Sequence, residues 1–79
     1  MKRIKEAAIM YNGEVWTGHR HHTIFADMKT KYNEPIRGEE QGFITEDGEF
    51  VSRVDAAQIA LAAGQIEKPK TTLFSEDLY

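Results

Sequence analysis

Residues 4–17 read IKEAAIMYNGEVWT, and this stretch decides the fold. An apolar run that begins at Ile4 and ends at Tyr11 stops at Asn12-Gly13, and Val15-Trp16-Thr17 follows at once. An Asn-Gly pair supplies the two positive φ angles that a type I′ turn needs between antiparallel strands. The stretch therefore predicts a β-hairpin.

A second hairpin is predicted further along the chain. Gly42-Phe43-Ile44-Thr45 and Phe50-Val51 are β-prone runs, and Glu46-Asp47-Gly48-Glu49 between them places Asp-Gly at the turn. The polar residues 36–40 before this hairpin are predicted to form a loop. Two hairpins imply one small antiparallel sheet.

Two helices are predicted beside this sheet. The first spans about His21 to Tyr32, because its apolar residues recur at helical spacing, and it ends at Asn33-Glu34-Pro35, since proline disfavours helical geometry in the residue before it. The second follows Ser52, an N-cap residue with Asp55 three positions on, and continues through an alanine-rich run to Gly64.

Length and composition indicate one domain of the α+β class. The chain has 79 residues, of which 41% are hydrophobic and 29% charged, a globular rather than a disordered composition. A core of this size supplies little stability and the chain has no Cys to form disulfides, so we expect an oligomer. Residues 66–79 carry two leucines and two aromatics in their last seven positions, so we expect them to dock on the core or on a neighbouring subunit.

Charge and hydropathy argue against several classes of function. The net charge of −3 is not that of a protein that binds the phosphate backbone of DNA or RNA. No apolar run approaches the roughly 20 residues of a membrane span, and the N-terminus MKRIKEAAIM lacks the apolar core of a signal peptide. We therefore expect a cytoplasmic protein without a membrane partner.

Residues 18–28, GHRHHTIFADM, carry the densest group of chemically active side chains. Adjacent histidines on a helix point about 100° apart, and no third ligand stands at helical spacing, so we expect no metal. A histidine-dependent hydrolase would need a carboxylate to orient the ring, such as Glu46, Asp47, Asp55 or Glu76. The stretch is also consistent with the solvated start of a surface helix.

An anion-binding site is the third interpretation of the same residues. The positive end of a helix favours a phosphate, and Arg20 stands just outside the first helix with His21 and His22 able to donate ring N–H bonds. Arg53 stands equally at the start of the second helix. Two such helix starts are a plausible frame for a pyrophosphate. Three aromatic residues on or next to the strands could stack on a nucleobase: Trp16, Phe43 and Phe50.

Five segments together resemble small phage proteins of the Thoeris anti-defence sponge family. These are IKEAAI, a Thr-Gly-x-Arg-His-His motif, QGFITEDGEFVSR, an alanine-rich helix ending AGQI, and the closing LFSEDLY, which together cover nearly the whole chain. The resemblance implies an α+β protein that assembles as a dimer or a larger ring such as a hexamer, with ligand pockets between subunits. It implies sequestration of cyclic nucleotide immune signals, notably cyclic ADP-ribose isomers and in some members cyclic di- or trinucleotides.

The residues and the resemblance both favour a non-enzymatic binding protein that needs no cofactor. We expect Arg20 and Arg53 to hold phosphates and Phe43 or Trp16 to stack on the base. The histidines, Gln41 and Thr45 are expected to bind ribose or base edges. The alternatives are a histidine-dependent cyclic-nucleotide hydrolase and an inhibitor that presents its acidic residues 75–77 to a protein partner.

Overall fold

The computed structural model describes residues 2–33 and 39–78. The chain forms one small compact α+β domain, as predicted. Within these two ranges, four strands, two α-helices and one 3-10 turn follow in the order β1 (Ile4–Tyr11), β2 (Glu14–Gly18), α1 (His21–Tyr32), β3 (Glu40–Thr45), β4 (Phe50–Ser52), α2 (Arg53–Ala62) and the 3-10 turn (Ser75–Asp77). The predicted loop at 36–40 lies mostly outside the described residues, as do Glu34, Pro35 and Tyr79, and Glu40 already belongs to β3.

The two hairpins are present, but their turns differ. Asn12 (φ 53°) and Gly13 (φ 79°) both take positive φ, which confirms the type I′ turn. In the turn of the second hairpin, only Gly48 has a positive φ (86°), and its N–H donates to the Thr45 carbonyl at 2.9 Å. This is the geometry of a type I turn followed by a glycine bulge rather than of a type I′ turn.

The hairpins join through their first strands into the predicted antiparallel sheet. The strand order is β2-β1-β3-β4, and every pair of neighbours is antiparallel. Ala8 of β1 lies opposite Gly42 of β3, and Gly42 lies opposite Ser52 of β4. A Cβ on Gly42 would lie 2.2 Å from the Val51 carbonyl oxygen and 2.7 Å from the Phe50 ring, so this position accepts only glycine without a shift of the sheet.

Both helices pack into one core. Helix α1 lies over β1 and β2, and α2 lies over β3 and β4. Alternate residues along the strands enter that core because successive strand side chains point to opposite faces. The buried apolar residues of this cluster are Ile4, Ala7, Ile9, Ile24, Met28, Phe43, Val51, Ala56, Ala57, Ala60 and Leu73.

The helices end where backbone geometry stops them. Asn33 (φ 52°) follows α1 in the left-handed region. After α2, Gly64 (φ 75°) allows the Gln65 N–H to reach the Ala60 carbonyl at 2.8 Å, which is a Schellman ending. The Gln65 side-chain amide then donates to the Ile4 carbonyl and accepts from the Ile4 N–H, each at 2.8 Å, so it joins the helix end to β1.

The two helices begin close together and run apart. His21, the first residue of α1, bonds to the Gly42 carbonyl, and α2 follows Ser52, which is the strand partner of Gly42. The far end of α1 bonds to the first hairpin through Tyr32 and Glu14, whereas the far end of α2 bonds to Ile4. Both helix N-termini therefore point toward the middle of the sheet, which positions the candidate site.

Candidate anion-binding groove

A groove of about 320 Å³ lies between the starts of the two helices. It is lined from four elements that are distant in sequence: α1, β3, α2 and the C-terminal segment. The lining residues are His21, His22, Phe25, Gln41, Arg53, Phe74, Ser75 and Glu76.

The start of α1 has no capping side chain. Arg20 occupies the N-cap position with an extended backbone (φ −132°, ψ 147°), and the first turn contains no acidic residue. Thr23 donates its hydroxyl to the Arg20 carbonyl at 2.8 Å. The first N–H groups and the positive end of the helix dipole thus meet no negative side chain of their own turn, which favours a bound anion.

His21 is held in place by the sheet. Its Nε2 lies 2.8 Å from the Gly42 carbonyl oxygen, to which it donates, and its ring meets the edge of the Phe43 ring at 5.1 Å between centroids. Burial lowers the pKa of His21 and the charge of Arg53 adds to this, while the Gly42 carbonyl and the Glu76 carboxylate act in the opposite sense. The lowered pKa favours a neutral ring whose Nε2 carries the proton.

The start of α2 contributes a cation beside an aromatic face. The Arg53 guanidinium carbon lies 5.6 Å from the centre of the Phe74 ring, and Lys70 Nζ lies 5.1 Å from the same ring. Phe74 is 45% exposed, so part of its ring is open to a ligand. An accessible aromatic face next to a cation is a combination that binds nucleobases.

Arg20 lies at the margin of the groove through an ion pair with Glu76. Arg20 Nη1 and Glu76 Oε1 are 3.9 Å apart, and the side chains are 28% and 64% exposed. The distance is at the limit of an ion pair and Glu76 is largely in solvent, so this contact contributes little to stability.

The structure brings together five of the eight predicted ligand-binding residues. Four of them line the groove, and Arg20 contacts Glu76, which also lines it. These five residues are Arg20, His21, His22, Gln41 and Arg53.

The other three predicted residues lie elsewhere. Phe43 is fully buried in the core, so its ring cannot stack on a base in this conformation. Thr45 is also fully buried, and its hydroxyl bonds to Asp47 and to the Glu49 N–H in the second turn. Trp16 packs on the Tyr32 side of α1 with Lys31 over its ring, outside the groove.

Four residues of the groove were not predicted as ligand contacts: Phe25, Phe74, Ser75 and Glu76. Phe25 belongs to the apolar stripe of α1, which indicates core packing and not a site. Phe74 and Glu76 come from the C-terminal segment, and they reach the groove because Leu73 is buried in the core and its N–H donates to the Arg53 carbonyl at 3.0 Å. Only the apolar character of that segment indicated that it would dock at all.

Two other kinds of site were sought in the described residues. Within 2–33 and 39–78, no three His, Asp or Glu side chains are grouped closely enough to hold a metal ion. Over the same residues, neither helix has the length and apolarity to cross a membrane.

Residues 3–79 match the sequence model of a family described as the phage T4 y16D protein. The chain belongs to this family. No curated protein and no solved structure matches the chain. Membership identifies a phage protein, and the family's description states no activity.

Proposed function

We propose that this phage protein binds cyclic nucleotide signalling molecules and sequesters them without turnover, which would inhibit bacterial anti-phage immunity. The ligand class is that of cyclic ADP-ribose isomers, with cyclic di- and trinucleotides as further candidates. A protein with this role acts in the cytoplasm of the host bacterium, where such signals are made.

One observation carries the proposal. Arg20, His21 and His22 at one helix start meet Arg53 at the other, although more than 30 positions separate Arg20 from Arg53 in the sequence. Two arginines and the uncapped N-terminus of α1 around one groove suit a ligand with phosphates, because guanidinium groups form charge-assisted bonds to phosphate oxygens. Gln41 supplies both an amide donor and a carbonyl acceptor for a base or ribose edge.

The stacking face is reassigned to Phe74. It is exposed, lies in the groove and stands beside Arg53, whereas Phe43 is in the core. In proteins that bind single-stranded nucleic acids, stacking on an aromatic ring contributes about 1 to 3 kcal/mol per base. Phe25, which is half-buried and also lines the groove, adds apolar surface.

The groove is small for a cyclic nucleotide with two bases. Its volume of about 320 Å³ is at the lower end of the roughly 300 to 1,000 Å³ typical of small-molecule pockets, so such a ligand would extend beyond it. The face of the sheet away from the helices carries Phe50, half-buried Met10 and Ile44 and the 44%-exposed Val15, and this surface is suitable for contact with another copy of the chain.

A hydrolase is the first alternative. A general base needs a ring nitrogen that faces the substrate and a partner that orients the ring. The Gly42 carbonyl orients the His21 ring through Nε2 and leaves Nδ1 as the nitrogen that could act as the base, so a recovery assay must separate hydrolysis from sequestration. The acidic inhibitor is less favoured, because Asp77 bonds to Lys70 and to the Phe74 N–H and Ser75 is buried.

The experiment is a recovery assay. The protein is incubated with a panel of cyclic nucleotides, separated from free ligand and heat-denatured, and the released compound is identified by mass spectrometry. Sequestration predicts intact ligand in fixed proportion to protein. Linear product beyond one equivalent would instead establish a hydrolase, and the absence of any retained nucleotide would refute the proposal.

A further inference from the structure

Glu76 is an acidic residue in a groove where the arginines at the two helix starts, Arg20 and Arg53, attract anions. It lines the groove together with Arg53, His21 and His22, and its carboxylate lies 3.9 Å from the Arg20 guanidinium. A carboxylate in that position weakens the field that would attract a phosphate. The proposed function gives no reason for it, so Glu76 requires a separate explanation.

The backbone that presents Glu76 is fixed. Leu73 is buried in the core, Ser75 is 1% exposed, and the Asp77 carboxylate accepts hydrogen bonds from the Phe74 N–H at 2.8 Å and from Lys70 Nζ at 2.6 Å. The Glu76 side chain itself is 64% exposed. Exposed side chains change rotamer on the picosecond to nanosecond scale, so the carboxylate can leave Arg20 without any movement of the segment.

We propose that Glu76 is a built-in competitor for the phosphate site: its carboxylate lies against Arg20 in the free protein and swings out when a phosphate takes its place. This inference rests on the proposed function of the groove. In the free protein the carboxylate offsets the repulsion between cationic groups at the two helix starts. An anion can bind there only if its contacts with the groove are stronger than the contact between Glu76 and Arg20 that it replaces. An anion that forms a single weak contact does not meet this condition.

Competition of this kind contributes to specificity. Discrimination between ligands often comes from a repulsive group as well as from attractive ones. A lone carboxylate or a single phosphate binds Arg20 little more strongly than Glu76 does, so it does not displace Glu76. A pyrophosphate that reaches both Arg20 and Arg53 forms a second contact and displaces it. The ligand class selected is therefore one with two linked phosphates.

The test compares two isosteric substitutions. Glu76→Gln removes the charge and keeps the shape of the side chain. Glu46→Gln is a matched control, because Glu46 is 61% exposed and its Oε1 lies 3.8 Å from Arg3 Nε in an equally loose pair at another end of the molecule. Both variants and the wild type are titrated with inorganic pyrophosphate by calorimetry at low ionic strength, where exposed charges are least screened.

Glu76→Gln should bind pyrophosphate about two- to fivefold more tightly than wild type, the range expected for one exposed charge contact. Glu46→Gln should bind as wild type does. The inference is overturned if Glu76→Gln binds pyrophosphate no more tightly than the wild type, or if Glu46→Gln shows an equal gain. Pyrophosphate binding by the wild type would still preserve the proposed function. If neither the wild type nor Glu76→Gln binds pyrophosphate, the inference is overturned, and the recovery assay decides the proposed function separately.

A measurement without ligand tests the placement of Glu76. The carboxylate raises the pKa of His21 through its charge, so Glu76→Gln should lower the midpoint of the His21 ring titration observed by NMR. Glu46→Gln should leave that midpoint unchanged. A midpoint that does not move in Glu76→Gln would show that the carboxylate does not face the groove, and would overturn the inference independently of any binding result.

Discussion

The starts of the two helices differ in how their backbone N–H groups are satisfied. Helix α2 begins after Ser52, whose hydroxyl accepts from the Asp55 N–H at 3.1 Å, and Asp55 places a negative charge in the first turn. Helix α1 begins after Arg20, whose side chain has no hydrogen-bond acceptor, and its first turn has no acidic residue. Side chains at the start of α2 therefore satisfy some of its first N–H groups, whereas the first N–H groups of α1 have no side-chain acceptor of this kind.

This difference gives the two helix starts different roles in the proposed function: the start of α2 is structural, and the start of α1 binds the ligand. A serine or aspartate at the N-cap stabilises a helix by roughly 0.5 to 2 kcal/mol, and α1 forgoes that gain. In exchange, the start of α1 keeps donors and a positive dipole that an anion can use. Helix α2 contributes mainly the Arg53 side chain, so in the proposed function we expect α1 to be the principal anion site and α2 to support it.

The largest effect is expected where the C-terminal segment is anchored beside the start of α2. Leu73→Ala should lower the free energy of unfolding by about 2 to 5 kcal/mol, because it leaves a cavity in the core. Leu61→Ala, at a residue of α2 that is 36% exposed, is the control and should cost much less. Chemical denaturation measures both. Equal losses would show that the segment does not depend on Leu73.

The next effect concerns the uncapped start of α1. Arg20→Lys keeps the charge but loses the bidentate fork, so cyclic nucleotide affinity should fall by about 1.5 to 3 kcal/mol, roughly 10- to 150-fold in Kd, with nearly unchanged stability. His22→Ala should cost less. Arg3→Lys, at an exposed arginine outside the groove, should bind as wild type does. Binding is measured by calorimetry and stability by melting curves. If Arg20→Lys binds as tightly as the wild type, the first turn of α1 is a solvated helix start and not a phosphate site.

Sequence patterns predicted the elements better than the site. The Asn12-Gly13 turn, the spacing of apolar residues in α1 and the Ser52 cap are local signals, and each produced the expected element. Phe43 and Thr45 were placed in the site because a strand pattern shows which residues share a face but not which face is buried. Both share a face with Gln41 and extend into the core, and only Gln41 reaches the groove.

Contacts between distant segments explain the rest of what the sequence could not predict. Phe74 and Glu76 reach the groove because Leu73 inserts into a core formed by residues up to 69 positions away, and no local motif encodes that arrangement. Nothing in the sequence therefore favours Phe74 over Phe43 or Trp16 as the stacking residue.

A third prediction contrasts the caps directly. Ser52→Ala should lower the free energy of unfolding by roughly 0.5 to 2 kcal/mol and leave binding nearly unchanged, because it removes only the cap of α2. Arg20→Ser places a capping hydroxyl at α1, so stability should stay at or above that of the wild type while binding is lost. Thermal melts and titrations of the two variants should therefore change in opposite directions. A loss of binding in Ser52→Ala comparable to that in Arg20→Ser would contradict the separation of roles.

The smallest effect is a pH dependence of stability from His21. Its folded pKa lies below the ordinary value of 6.5, so the unfolded chain binds more protons at mildly acidic pH. The stability from the neutral ring is fully present above pH 6.5 and is lost as the pH falls from there toward the lowered folded pKa. His21→Gln should flatten that part of the curve of unfolding free energy against pH. An unchanged curve would show that the ring is not buried against the sheet.

The central claim is that the start of α1 binds the phosphates of a nucleotide. The most direct measurement is a two-dimensional ¹H–¹⁵N NMR titration of the wild type with the cyclic nucleotide that the recovery assay retains. A phosphate bound at the start of α1 should shift the amides of His21 and His22 most and those of Arg53 and Phe74 less, with the amides of Lys2 and Arg3 unmoved. Shifts confined to other parts of the molecule, with none at the start of α1, would contradict this claim.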